Sequence, residues 1–103
     1  MEIQLQIGTS ATLRNAADLR QQCLDVLEGS GPIIVDIGDV TDADLSFVQT
    51  MHALRDAAGQ ADRQVRLRTP APAPVAALLE RAGFLSAASP QDLDFWFHGE
   101  RPQ

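Results

Sequence analysis

Polar and apolar residues alternate from Glu2 to Ile7, and apolar residues then recur three or four positions apart from Asn15 to Glu28. Alternation with a period of two predicts a strand with one buried face. The wider spacing predicts a helix with one apolar face, which Asn15 is suited to cap at its start. The helical pattern stops at Gly29, so the chain is expected to begin with a strand followed by a helix.

A second strand and helix follow in the same order. The continuous, β-branched run from Pro32 to Ile37 predicts a central strand that is covered on both faces. Apolar residues at helical spacing then predict a helix from Leu45 to Ala58, which Gly59 is expected to end. The inner face of this helix is predicted to carry Val48, Met51, Leu54 or Arg55, and Ala58.

The last third of the chain repeats the order once more. Residues 65–68 alternate as a short strand, and a proline-rich connector leads into a helix over residues 74–82. Gly83 is suited to a left-handed cap at the end of that helix. Ser89 followed by Pro90 predicts the start of a short helix through Phe97. Since Leu93, Phe95 and Phe97 also alternate, an edge strand is the alternative for this tail.

Three strands that alternate with three helices predict an α/β fold, in which a small parallel or mixed sheet has helices packed against it. With 103 residues the chain is expected to form a single domain over residues 1–103. Its core is expected to span about residues 3–84, and residues 85–103 would form the tail.

Charge narrows the classes of partner. The net charge is −6, from 14 acidic and 8 basic residues, and every basic residue is an arginine. An acidic protein is a poor ligand for nucleic acid or anionic lipid, so a basic protein partner is expected. The chain has no apolar run near the ~20 residues of a membrane span, and it lacks a signal sequence at its start, which favours the cytoplasm.

Neither catalytic nor metal-binding chemistry is indicated. Ser46 lacks the glycines of a nucleophile elbow, and the sequence indicates no catalytic partner residues for His52 or His98. The acids between Asp36 and Asp44 lack the spacing of a calcium loop. Cys23 is alone and lies on a helical apolar stripe, which predicts a buried thiol. We therefore expect a protein that is not an enzyme and has no cofactor or metal.

The segment from Asp36 to Val48, DIGDVTDADLSFV, places one serine directly after Asp39, Asp42 and Asp44, where a strand gives way to a helix. It resembles the signature of STAS domains, the sulfate-transporter and anti-sigma-factor-antagonist family. In that family a strand ends in Asp-Leu-Ser and the next helix opens with Asp-Ser-Ser-Gly-Leu. By this resemblance Asp44 matches the motif aspartate and Ser46 matches the serine that is phosphorylated in anti-sigma-factor antagonists. Leu45 and Phe47 depart from the usual serine and glycine.

The resemblance extends over roughly Ile3 to Phe84 and implies a signalling module that binds a protein. The implied partner is an anti-sigma factor or serine kinase, or a signalling histidine kinase, and phosphorylation of Ser46 would switch the binding. The alternative that the resemblance implies is a constitutive accessory subunit of a Mla-type lipid-transport ATPase. A dimer is also possible. The predicted partner-binding residues are Asp39, Asp42, Asp44, Leu45, Ser46, Phe47 and Gln49.

Ser46 also has a purely structural interpretation. Ser46 with Gln49 three residues later has the sequence of a capping box, in which the serine would be the N-cap of the second helix. The sequence leaves open whether Ser46 is a phosphorylation site or only a cap. Phe47 is likewise open between a core position and an interface position, and Trp96 and Phe97 are expected to cover an edge of the core.

Overall fold

The structure, a computed structural model, describes residues 2–86 and 88–98. A turn of 3-10 helix, Leu13–Asn15, precedes the first α-helix. The strands are β1 (Ile3–Gln6), β2 (Ser10–Ala11), β3 (Ile33–Asp36), β4 (Asp42–Ala43) and β5 (Val65–Leu67). The helices are α1 (Ala16–Leu27), α2 (Leu45–Gln60), α3 (Ala73–Arg81) and α4 (Pro90–Phe97).

Three parallel strands form the main sheet in the order β1-β3-β5. In this register Ile33 lies between Ile3 and Val65, and α1 and α2 make the crossovers that parallel strands require. The expected α/β fold is confirmed. The expectation that β3 is covered on both faces is wrong, because Ile34 is only half-buried and its neighbour Arg66 is exposed.

A second, two-stranded sheet was not predicted. Ser10 pairs with Asp42 and Ala11 with Ala43, also in parallel, and the N–H of Thr41 donates to Thr9 O at 2.9 Å. Two residues are too few for a period of two to show in the sequence. This small sheet holds the loop that follows β1 against the loop that follows β3.

Helix α2 is longer than predicted. It runs through Gly59 to Gln60, so the expectation that Gly59 ends it is wrong. One glycine near a helix end costs only about 1 kcal/mol relative to alanine, which the preceding turns outweigh. The predicted buried stripe is confirmed at Val48, Met51, Leu54 and Ala58, and Phe47 is buried with it.

The tail forms α4, so the helix is confirmed and the alternative edge strand is wrong. Ser89 Oγ accepts the N–H of Asp92 at 3.1 Å, and the Asp92 carboxylate accepts the N–H of Ser89 at 3.1 Å, which completes a capping box. Trp96 is 3% exposed and its ring lies 6.0 Å from that of Phe47, edge to face. The core therefore extends past residue 84, its expected limit.

Residue 87 and residues 99–103 of the predicted tail lie outside the described residues. Within the described part of the chain, no helix combines the length and the apolar character needed to cross a membrane.

Candidate functional site

The stretch that carries the sequence motif lies at the edge of the main sheet where its strands end. The carboxylate of Asp44 joins two segments there: Oδ1 accepts the N–H of Ser46 at 3.0 Å, and Oδ2 accepts the N–H of Leu13 at 2.8 Å. Because β2 pairs with β4 just before this point, the 3-10 turn and the start of α2 are held side by side. One side chain thus fixes the relative position of both segments.

Asp44, not Ser46, is the N-cap of α2, and the predicted capping box of Ser46 and Gln49 is wrong. Asp44 has extended backbone angles, φ −131° and ψ −173°, and its side chain accepts an N–H of the first turn, as an N-cap does. Ser46 already lies inside that turn, and its hydroxyl donates to Asp44 Oδ1. The charged carboxylate competes better than the serine hydroxyl for the free N–H groups of the helix start.

These hydrogen bonds keep the Asp44 carboxyl ionised. The hydrogen bond from the Ser46 hydroxyl, together with those from the backbone N–H groups of Leu13, Ser46 and Phe47, lowers the pKa of Asp44 below its ordinary value of 3.8. Desolvation opposes them but is outweighed. The site therefore presents a fixed negative charge that is already engaged by donors.

The predicted partner-binding residues do not all share one surface. The side chain of Phe47 is 1% exposed and packs on Trp96, so its predicted place on a partner-binding surface is not available to a partner. Asp44 and Ser46 are half-buried. The remaining four are exposed: Asp39, Asp42, Leu45 and Gln49.

The sequence did not predict that Leu13, in the 3-10 turn before α1, contributes an apolar side chain to this site. Leu13 is 74% exposed and Leu45 is 46% exposed, and Leu13 and Ser46 line the same shallow cavity of about 300 Å³ between the starts of α1 and α2. Leu13 fits neither the alternation of β1 nor the stripe of α1, and an apolar residue outside any period was the available signal. The cavity is lined by Leu13, Ala16, Arg20, Ser46, Gln49, Thr50 and Ala53.

The titratable side chains form no catalytic set at Ser46 in the described part of the chain. The ring of His52 stacks on Phe84 with centroids 5.7 Å apart, and His98 Nε2 donates to Leu67 O at 2.9 Å. Cys23 is buried as expected, and burial raises the pKa of its thiol to about 11. No group of three potential metal ligands comes together within residues 2–86 and 88–98.

Comparison with known proteins supports one family. Residues 1–86 match the model of a family described as "Mlab, STAS domain". A similar solved structure is the crystal structure of a sulfate transporter family protein from Wolinella succinogenes, with a TM-score of 0.65 and 15% identity. The match covers 85% of this chain and 71% of that one, and at this identity it shows a common fold. No curated protein matches the sequence significantly.

Proposed function

The chain belongs to the STAS-domain family that is named for MlaB, and from this premise we propose that it is a constitutive STAS subunit of a Mla-type lipid-transport ATPase. The observation that carries the proposal is the family match over residues 1–86, since MlaB is the STAS subunit of such a transporter. The chain would act without catalysis of its own, by binding the ATPase subunit. Of the two roles implied by the STAS resemblance, this is the one that the family match favours.

The surface around Ser46 suits a permanent contact. Leu13 and Leu45 are exposed apolar side chains on the two segments that Asp44 joins, and Gln49 and Arg20 add polar groups beside them. Protein interfaces commonly combine an apolar centre with a polar rim. We define the Ser46 surface as Leu13, Arg20, Leu45, Ser46 and Gln49, and propose that the ATPase subunit docks on it.

The hydrogen bonding of Ser46 also favours a surface that is not switched. Its hydroxyl already donates a hydrogen bond to the carboxylate of Asp44, which is the N-cap of α2. A phosphate would remove that donor and add about −1.5 to −2 charges beside an ionised carboxylate. Phosphorylation would therefore disturb the cap itself. A kinase or anti-sigma factor that modifies or reads Ser46 is the competing proposal.

Substitution of the two exposed leucines tests the docking surface. We expect Leu13→Asp and Leu45→Asp each to weaken co-purification with the ATPase subunit at least tenfold, because each substitution would place a charge in an apolar contact. A tenfold loss of affinity corresponds to about 1.4 kcal/mol. The measurement is quantitative mass spectrometry of the tagged chain recovered from detergent-solubilised cells that make it.

Ala61→Asp is the control, because it adds the same charge at an exposed position at the far end of α2. All three variants should unfold at the denaturant concentration of the parent to within a small shift, since the substituted side chains are exposed. Recovery of a soluble kinase in place of an ATPase, or leucine variants that bind as well as the control, would refute the proposal.

A further inference from the structure

Strand β5 is an edge of the main sheet, and its outer backbone groups face away from β3. Ile33 N donates to Gln64 O at 2.8 Å, and Arg68 N donates to Val35 O at 2.9 Å. The backbone groups of Gln64 and Arg68, which flank Val65 and Leu67, therefore face β3. In a parallel ladder the alternate residues, Val65 and Leu67, then point their N–H and C=O groups outward. Within residues 2–86 and 88–98 no further strand pairs with this edge.

A groove of about 580 Å³ runs along this edge, between β5 and α4. Its far wall is formed by α4, which contributes Asp94 and Phe95, and by His98 directly after the helix. The guanidinium of Arg55 lies 4.6 Å from the centroid of the Phe95 ring and pairs with Asp92 at 3.1 Å, so this part of the groove is preformed. The α4 residues in the lining are Pro90, Gln91, Asp94 and Phe95, and His98, which follows the helix, lines it as well.

The two sides of the groove differ in chemistry. Towards the core it is lined by Val65, Leu67 and Phe95, which are apolar. Arg66, which is exposed and also lines the groove, lies on the other face of β5. Arg68 directly follows the strand, and its side chain is 62% exposed although it contacts Asp36 at 3.5 Å. The net charge of the chain is −6, so two exposed arginines at the end of one edge strand are a local exception.

We propose that this groove binds an extended segment of a partner protein, which adds to β5 as a further strand. Added strands gain main-chain hydrogen bonds, and alternate side chains give specificity. Val65 offers its N–H and C=O and Leu67 its N–H, while the C=O of Leu67 is already taken by His98. The alternation then requires apolar residues facing Phe95 and acidic residues opposite Arg66 and Arg68. The ligand is an extended segment with alternating acidic and apolar residues.

The arginines also disfavour a second copy of the chain in the register that pairs Val65 with Leu67. Antiparallel pairing of β5 with β5 of another copy, with Val65 opposite Leu67, would need the outward groups of both residues, including the C=O of Leu67 that His98 already occupies. That register places Arg66 directly opposite Arg66 of the other copy, and like charges at such a position are destabilising. A partner segment with a carboxylate at that position converts the repulsion into attraction.

This groove is separate from the Ser46 surface. Arg55 follows Ser46 by nine residues on α2, which corresponds to about 13 Å along the helix axis. Binding at the groove and binding at the Ser46 surface can therefore be tested separately. A protein with both sites would connect two partners or two parts of one partner.

Selection of peptides on the full chain tests the inference. The probe is a random peptide library presented to the immobilised protein, followed by titration of an enriched peptide while backbone amide NMR signals are recorded. We expect enrichment of alternating acidic and apolar sequences, with the largest shifts at the amides of Val65 and Leu67. Arg66→Glu should weaken the peptide about tenfold, because an attractive cross-strand pair becomes repulsive.

Arg81→Glu is the matched control, since it makes the same charge change at an exposed position on α3 and should leave the affinity unchanged. The absence of any enriched peptide would overturn the inference. So would enriched peptides that lack acidic residues, or that shift amides around Ser46 and leave Val65 and Leu67 unmoved. Concentration-dependent dimerisation that shifts the β5 amides would show that a second copy is the occupant.

Discussion

At the scale of single residues, Asp44 organises the candidate site. Its two carboxylate oxygens hold the start of α2 and the N–H of Leu13, two segments far apart in the chain. Charge-assisted hydrogen bonds of this kind are stronger than neutral ones. The position of Leu13 on the Ser46 surface therefore depends on Asp44.

We expect Asp44→Ala to lower the free energy of unfolding by about 2 kcal/mol, since it removes an N-cap and a hydrogen bond to a second segment. Asp44→Ser is the matched variant: it can still cap Ser46 N but is too short to reach Leu13, so it should lose about half as much. Urea unfolding followed by circular dichroism measures both. Equal stability of Asp44→Ala and the parent would contradict the assigned role.

The lowered pKa of Asp44 adds a prediction about pH. A carboxyl with a lower pKa in the folded state stabilises the fold in full above its ordinary value of 3.8, and that stabilisation is lost as the pH falls through the folded pKa. Partial burial works to raise the pKa of Asp92, but the hydrogen bonds from Ser89 and Arg55 outweigh it and lower that pKa as well.

Urea unfolding between about pH 6 and pH 2.5 should therefore show stability that falls on the acid side, and the fall should be shallower in Asp44→Ala. A variant with the same acid slope as the parent would show that Asp44 titrates alike in the folded and unfolded states.

The sequence motif predicted that the candidate site lies at the start of α2. It did not predict which residue caps the helix and which residues form the surface. Asp44 and Ser46 are both residue types that serve as N-caps, and the sequence alone does not show after which of them the helix begins. Leu13 could not be assigned to the surface either, because the Asp44 carboxylate that positions it comes from a segment far along the chain.

At the scale of elements, the apolar period and the Gly and Pro positions predicted the four α-helices and the three main-sheet strands of the described residues, but not the 3-10 turn Leu13–Asn15. The two-residue strands β2 and β4 were missed because they are too short to show a period. The outer face of β3 was misjudged because a continuous apolar run does not reveal that Ile34 lies between the exposed residues Gln4 and Arg66.

Two glycines at helix ends make a matched pair. A Cβ at Gly59 or at Gly83 would meet no atom within 4 Å, so packing does not distinguish them. Gly59 lies within α2, whereas Gly83 has φ +79°, a left-handed conformation. We expect Gly59→Ala to stabilise the fold by about 0.5–1 kcal/mol and Gly83→Ala to destabilise it by about 1–2 kcal/mol.

Thermal or urea unfolding of both variants gives the two signs directly. Shifts of the same sign would contradict the backbone assignments, because only the left-handed position penalises a side chain.

At the scale of the whole molecule, α4 is part of the single core and not an appended tail. Phe95, Trp96 and Phe97 are all at most 5% exposed, and the rings of Phe95 and Trp96 lie 4.9 Å apart, edge to face. Aromatic burial of this kind contributes strongly to a small domain. The sequence predicted the helix, but its union with the core depends on Phe47 and Arg55, which come from α2.

The chain has one tryptophan, Trp96, so its fluorescence reports on the packing of α4 against the core. We expect urea unfolding followed by Trp96 fluorescence to coincide with unfolding followed by far-ultraviolet circular dichroism, as one cooperative transition. A fluorescence transition at clearly lower urea would show that α4 detaches before the rest of the domain unfolds.

We propose that this STAS domain is a permanent subunit of an ATPase, bound whatever the state of Ser46. The most direct measurement is mass spectrometry of the complex that the tagged chain forms in growing and in starved cells, with cleavage at arginine to release residues 21–55. If the subunit is permanent, an ATPase is recovered in constant proportion and Ser46 is unmodified in both conditions. A soluble kinase as the partner, with phosphate on Ser46 that changes with growth, would contradict it.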